Sequence, residues 1–379
     1  MTFLKNIVNK NQGGVDWLLF IFILPILGFG LITMKSFTTE TPFFSHQLIW
    51  IAISFLVLFF LSQFDFRFLK RTDILVSIFG FFSGLLILLF VLGHISNGAQ
   101  SWFSFGGFSF QPSDMMKLVV ILMLAKYFSR RHVEINNIKH IFISGLYALI
   151  PFLLVFLQPD FGSAIIIFFI WLGMILVSGI SKRHLLMVLG VGVVALVLLW
   201  SFVFQSYQKA RIITFVQPLS DIQNTGYSVY QSTIAVGSGQ ISGKGVGFGT
   251  QSRLKFLPEY QTDFIFAAFV EEWGFVGAII LFILIGLIIW RILHIALLGT
   301  TNFEILFGVG LAIYLMSHFI INIGMNIGIM PVTGITLPFM SYGGSHLLTE
   351  FIGIGILMGM NRYRRVAHRD DMRNEFLGI

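Results

Sequence analysis

Apolar residues along this chain fall in long continuous runs separated by short polar or glycine-rich intervals. A helix rising about 1.5 Å per residue needs about 20 apolar residues to cross a bilayer core. By that measure the runs predict about ten membrane-spanning helices, at 17–34, 46–64, 73–93, 113–128, 140–157, 163–180, 184–205, 264–290, 303–327 and 344–361. The fourth is short and opens among polar residues, so it is less lipid-like than the others. The first follows a basic stretch but lacks a small-residue cleavage site, which predicts a retained anchor. The expected fold is an all-α polytopic membrane protein. It forms a single transmembrane domain over 1–379, with one long loop, 206–263, between the seventh and eighth helices and a short tail, 362–379.

Composition agrees. Of 379 residues, 56% are hydrophobic and 11% charged, against about 25% charged in a soluble domain. That argues against a soluble enzyme, a disordered chain and a coiled coil. Cysteine is absent, so there is no disulfide, thiolate metal site or catalytic thiol. The net charge of +7 is scattered between apolar runs, a poor fit to nucleic-acid binding.

The distribution of that charge orients the helices, because cytoplasmic loops favour Lys and Arg. With both termini inside, the inner segments hold Lys5, Lys10, Arg67, Lys70, Arg71, Lys126, Arg130, Arg131, Lys139, Lys182, Arg183, Arg291 and the arginines from Arg362 to Arg373. The outside keeps Lys35, Lys117 and five residues of the long loop: Lys209, Arg211, Lys244, Arg253 and Lys255. The loop is too long for the rule to bind, but its cations ask for a separate reason.

Three outer segments are unlike simple connectors. The first runs from Gly98-Ala99-Gln100-Ser101-Trp102-Phe103 to Gln111-Pro112-Ser113-Asp114-Met115-Met116-Lys117. The second is Gln158-Pro159-Asp160-Phe161-Gly162-Ser163, and the third is the glycine-rich end of the long loop through Glu259 to Asp263. Asp114 and Lys117 stand three apart and share a helix face, as a structural ion pair or a substrate-binding pair. Asp160 reads as a turn or cap residue or a site residue, and Asp263 as a helix N-cap or a reactive carboxylate. Glu271 and Glu272, two turns deeper, are expected to face the protein interior in a structural network. Gly245-Val246-Gly247-Phe248-Gly249 lacks the context of a nucleotide loop. His294 and His318 read as packing residues, and no HExxH or Cys/His cluster exists.

These segments, in this order, resemble the SEDS family of polytopic membrane proteins. The resemblance extends through Gln231-Ser232, Gly237-Ser238-Gly239, Gly243-Lys244-Gly245, Gly249-Thr250-Gln251, Leu257-Pro258-Glu259, Thr262-Asp263-Phe264, Asn322-Ile323-Gly324 and Leu337-Pro338 with Ser341-Tyr342-Gly343-Gly344-Ser345. It leans toward the elongation branch rather than the division branch. Departures are Gln100-Ser101 before Trp102, Asp114 for the usual Glu, Gln261 for a frequent His, and His346 for a frequent small residue.

The resemblance implies a peptidoglycan glycosyltransferase in the bacterial inner membrane, with its site on the extracytoplasmic side in an outward cavity capped by the long loop. Its substrate would be lipid II. Asp263 would be the catalytic carboxylate, taking a proton from the acceptor hydroxyl as undecaprenyl pyrophosphate leaves with inversion. Asp114, Lys117, Asp160, Glu259, Lys244, Arg253 and Lys255 would be substrate-binding residues, the cations serving the pyrophosphate. A divalent cation, Mg or Mn, could share that task on Asp114, Asp160, Glu259 and Asp263. The implied partners are a class B penicillin-binding protein, other elongation-complex proteins and membrane lipid. A lipid II flippase and a non-catalytic scaffold are the competing readings.

Overall fold

The protein is described by a computed structural model covering residues 15–36, 43–96, 99–105, 108–130, 138–217 and 226–377. Lys5, Lys10 and Arg131, which count toward the predicted orientation, and Gly98 lie outside the described residues, as do the side chains of Gln100 and of residues beyond Tyr363.

A helix lies over most of every predicted span. In chain order the helices are α1 (Trp17–Ser36), α2 (Phe43–Leu61), α3 (Thr72–Leu92), α4 (Pro112–Ser129), α5 (Ile138–Leu157), α6 (Phe161–Val177) and α7 (Lys182–Leu198). They continue with α8 (Ser206–Val216), α9 (Tyr227–Ser238), α10 (Thr250–Arg253), α11 (Ile265–Leu297), α12 (Asn302–Asn326) and α13 (Gly344–Leu377). Among the described residues, 7 helices are long and apolar enough to cross a membrane by length and composition. The long loop is therefore not structureless, since α8, α9 and α10 lie within it. The last helix runs on to Leu377 through what the sequence presents as a polar tail.

Between α3 and α4 the chain forms a small antiparallel sheet of β1 (His94–Ser96), β2 (Ala99–Phe105) and β3 (Phe108–Phe110), in that order. Phe103 pairs with Phe110 and Phe105 with Phe108. The sequence carries a signal for it, a Gly106-Gly107 pair between alternating Phe and Ser. Apolar composition hides that signal in a search for spans.

The short fourth span explains the packing. Nearly all of α4 is buried, Asp114 and Lys117 included, because α3, α5, α6, α12 and α13 surround it. A helix that touches no lipid need not be apolar throughout, and polar residues can sit there if they are paired. α7 is the opposite case: Leu186, Val191, Val193 and Val197 are exposed, and Val188 is its one buried residue. Its surface suits lipid tails.

Two ion pairs join elements at the end of the bundle away from the long loop. Arg291 Nη2 lies 2.6 Å from Asp16 Oδ2, both buried, and Lys70 Nζ lies 2.8 Å from Glu304 Oε1. Arg291 is thus inside α11, which outlasts the predicted span, and is a packing residue rather than a loop charge.

α11 is broken at Gly274, whose φ of 66° is left-handed. Backbone from the long loop fills the break. Lys244 N and Gly245 N donate to the carbonyls of Glu271 and Glu272, each at 3.0 Å. Phe275 N and Val276 N donate to the carbonyls of Gln240 and Ile241 at 2.9 and 3.1 Å. Groups freed by the kink are thereby satisfied. A side chain at Gly243, with φ 80°, would strike the Glu272 carbonyl.

Candidate active site

Asp263 lies in the turn that precedes α11. Phe264, not Asp263, is the N-cap residue, and its side chain makes no capping hydrogen bond. The carboxylate is therefore not engaged in the capping role open to it from sequence. The turn itself is held backbone group by backbone group. The Gln261 carbonyl accepts from Tyr342 N at 2.8 Å, and the Thr262 carbonyl from Ser341 Oγ at 2.6 Å. The Asp263 carbonyl accepts from Asn322 Nδ2 at 2.9 Å and Asn326 Nδ2 at 3.0 Å. Asn326 Oδ1 also accepts from Ala267 N at 3.1 Å, in the first turn of α11. Three successive carbonyls fixed from α12 and the segment after it leave little freedom to the side chain they carry, which is what a preorganised site requires.

Burial pushes the Asp263 carboxyl up to about 7, and the charge of Glu259 adds to the rise. Arg211, on α8, opposes it, and Asp160 contributes a further rise. These four groups share one electrostatic neighbourhood. Glu259 itself is exposed and left-handed at φ 47°. Its carboxylate accepts from Thr262 Oγ1 at 3.2 Å, and its carbonyl from Phe264 N at 3.2 Å. Left-handed backbone at a non-glycine residue stores strain of order 1–3 kcal/mol.

Asp160 is both a cap and a tie. Its Oδ1 accepts from Ser163 N at 3.0 Å, capping α6. Its Oδ2 accepts from Gln111 Nε2 at 2.9 Å, joining α6 to the start of α4.

Below this level Lys117 Nζ lies 2.9 Å from Asp114 Oδ1. His346 Nδ1 stands 3.9 Å from the same Asp114 oxygen, and its Nε2 is 2.9 Å from Glu350 Oε1. Tyr314 OH is 3.3 Å from His346 Nδ1, and the His318 ring stacks on His346 at 4.5 Å. The network joins α4, α12 and α13 inside the bundle.

The predicted outer cations do not gather at Asp263. Lys244 Nζ is 2.7 Å from Glu271 Oε1 and 2.8 Å from Thr250 Oγ1. Glu271 also accepts from Gln251 N at 3.1 Å, and Glu272 accepts from Gly247 N at 2.6 Å. The carboxylate pair in α11 therefore anchors the loop. Arg253 and Lys255 are exposed, and no described contact joins them to Asp263. Arg211 and Asn326, which do act on Asp263, are not singled out by the sequence. Arg211 lies in a helix that a loop reading hides, and Asn326 shows only as one turn beyond Asn322.

Arg211 also lines a cavity of ≈ 230 Å³ enclosed by α8, α9 and residues 327–332, with Tyr230, Met330 and Val332 in its wall. Asp114, Asp160 and Asp263 are not part of that wall. Among the described residues no three His, Asp or Glu side chains converge as a metal site. Asp114 is engaged by Lys117, and both oxygens of Asp160 are hydrogen-bonded. The expected carboxylate donor set does not form a cage in this arrangement.

Comparison with known proteins decides the family. The model of the FtsW, RodA and SpoVE family, described as cell cycle protein, matches residues 16–366. The chain belongs to this family, the SEDS family. Among SEDS relatives, the peptidoglycan glycosyltransferase MrdB of Escherichia coli K12 is 41% identical over 289 residues, 75% of this chain and 77% of that protein. The crystal structure of the rod shape determining protein RodA from Thermus thermophilus superposes with a TM-score of 0.70 at 30% identity, covering 92% of this chain and 97% of that one. A chain from a peptidoglycan synthase complex, described as coordinating polymerization and crosslinking, superposes with a TM-score of 0.78 at 32% identity, over 92% and 98% of the two chains.

Proposed function

We propose that this chain is a peptidoglycan glycosyltransferase that polymerises lipid II into glycan strands during cell elongation, with Asp263 as general base. The observation that carries the residue assignment is the setting of Asp263. Its backbone is fixed by Asn322 and Asn326, its carboxylate is not used as a helix cap, and its carboxyl is raised to about 7. A base is most effective when its pKa lies near the working pH, and such catalysis contributes about 10²–10⁴-fold.

In the proposed reaction the acceptor sugar hydroxyl loses its proton to Asp263 Oδ. The freed oxygen bonds to the anomeric carbon of the donor, and the bond from that carbon to undecaprenyl pyrophosphate breaks with inversion. Arg211, whose charge acts on Asp263, would hold the anionic end of a substrate beside it. Lys117 has the right charge for the same task, with its direction set by Asp114.

Crosslinking falls to a partner, a class B penicillin-binding protein. Ser206-Tyr207-Gln208-Lys209 has the SxxK spacing of a transpeptidase, but it sits at the start of α8, and no SDN or KTG element accompanies it in the sequence.

The test separates the enzyme from a flippase and a scaffold. Purified chain, alone and with its transpeptidase partner, is given lipid II with and without added Mg²⁺ or Mn²⁺. Wild type is expected to make glycan strands and Asp263→Ala none. Absence of polymer from wild type, with lipid II translocation intact in Asp263→Ala, would overturn the enzyme reading.

A further inference from the structure

We propose that the loop segment from Gln240 to Leu257 is a membrane-surface anchor, seated in the headgroup region of the leaflet on its own side and contacting anionic phospholipid through Arg253 and Lys255. Two independent lengths place it at that depth. α1 ends at Ser36 after 20 residues, about 30 Å at 1.5 Å per residue, the thickness of a bilayer core. The Ser36 carbonyl is among the atoms facing Gly247, so the loop tip lies level with the end of that span. On α11, Ile265 to Val270 are all buried, whereas Phe275, Val276, Ile279 and Ile280 are exposed. Lipid-facing surface therefore starts just past Gly274, and from there to Leu297 the helix is again long enough for one crossing. The loop is clasped to that same point through Gln240, Ile241, Lys244 and Gly245.

The surface at that level has the chemistry of an interfacial anchor. Ile241, Val246, Phe248, Leu254 and Phe256 are between 45% and 72% exposed, unusual for a segment in water. The segment contains Lys244, Arg253 and Lys255 and no Asp or Glu. Lys244 is committed to Glu271, which leaves Arg253 and Lys255 exposed among the apolar side chains. Apolar groups with interleaved cations bind at the boundary of headgroups and acyl chains, and each cation near an anionic surface strengthens the contact. The same arrangement supplies the separate reason that basic residues in an outer loop require.

The chain has no cysteine, so single spin labels can be placed without background. Phe248→Cys and Leu254→Cys would be labelled in full-length protein in phosphatidylglycerol nanodiscs. Phe275→Cys would serve as a lipid-facing reference and Asp73→Cys as a water-facing one. Both loop labels are expected to collide more with oxygen than with a water-soluble nickel complex, as at residue 275. The Arg253→Gln and Lys255→Gln pair, or phosphatidylcholine in place of phosphatidylglycerol, is expected to shift them toward water. Labels matching the residue 73 reference would overturn the proposal. So would labels shielded from both colliders, which would mean a protein covers the patch. Equal depth in the two lipids would overturn the role given to the two cations. The readout does not depend on glycosyl transfer, so its failure is distinct from failure of the enzyme reading.

Discussion

Lys117 Nζ lies 2.9 Å from Asp114 Oδ1, one helical turn away, and both side chains are buried in the helix that the other spans surround. Neither charge has water to turn to. Removing one partner of such a pair costs about 3–5 kcal/mol, because the other is left uncompensated. Lys117→Met is expected to lower the thermal unfolding temperature strongly. Adding Asp114→Asn to it is expected to restore much of that loss without restoring activity. Unfolding in detergent, followed with a polymerisation assay, checks both.

Asp263 links activity to pH. Only the ionised carboxylate accepts a proton, so the rate of polymerisation is expected to climb as pH rises through about 7, where this group titrates. Stability runs the other way. The unfolded carboxyl titrates near 3.8 and the folded one near 7, so between those values the folded state alone holds the proton. Raising the pH through that window removes the stabilisation. At pH 8 Asp263→Asn is expected to unfold at a higher temperature than wild type, with the difference shrinking toward pH 4.

The groups around Asp263 are expected to move its titration in opposite directions. Arg211 holds the carboxyl down and Glu259 pushes it up. Arg211→Gln should therefore shift the pH–rate profile to more alkaline values, and Glu259→Gln to more acidic ones. Profiles that do not move, or that move together, would show that these charges do not act on the reacting group.

Gly274→Ala tests the clasp. Its left-handed backbone disfavours any side chain, and an added Cβ would strike the Gly243 amide and the Ile241 carbonyl. The loop is expected to lose protection from proteolysis between residues 240 and 257 while α11 remains helical. Limited digestion with mass mapping reads this directly.

Much of this arrangement is legible in the sequence, and the rest is hidden for physical reasons. Apolar run lengths place the helices, because the bilayer imposes a length on every crossing. The weak apolar character of 113–128 is enough by itself to mark that helix as the one set apart from lipid. Asp263 and Asp160 stand out because charge is scarce. The surroundings of the loop cations are not legible in the sequence, because whether a cation meets substrate, lipid or a carboxylate depends on backbone far away in the chain. Lys244 meets Glu271, 27 residues on. Asn322 and Asn326 have the look of ordinary polar residues in a helix, and only the fold brings their amides onto the Asp263 carbonyl.

Polymerisation of lipid II by purified Asp263→Asn bears most directly on the proposed chemistry, because the substitution keeps size and shape and removes only the base. Strand formation is expected to fall about 10²–10⁴-fold, with thermal stability at neutral pH raised rather than lost and association with the transpeptidase unchanged. Polymer made at the wild-type rate by a folded Asp263→Asn protein would contradict the assignment.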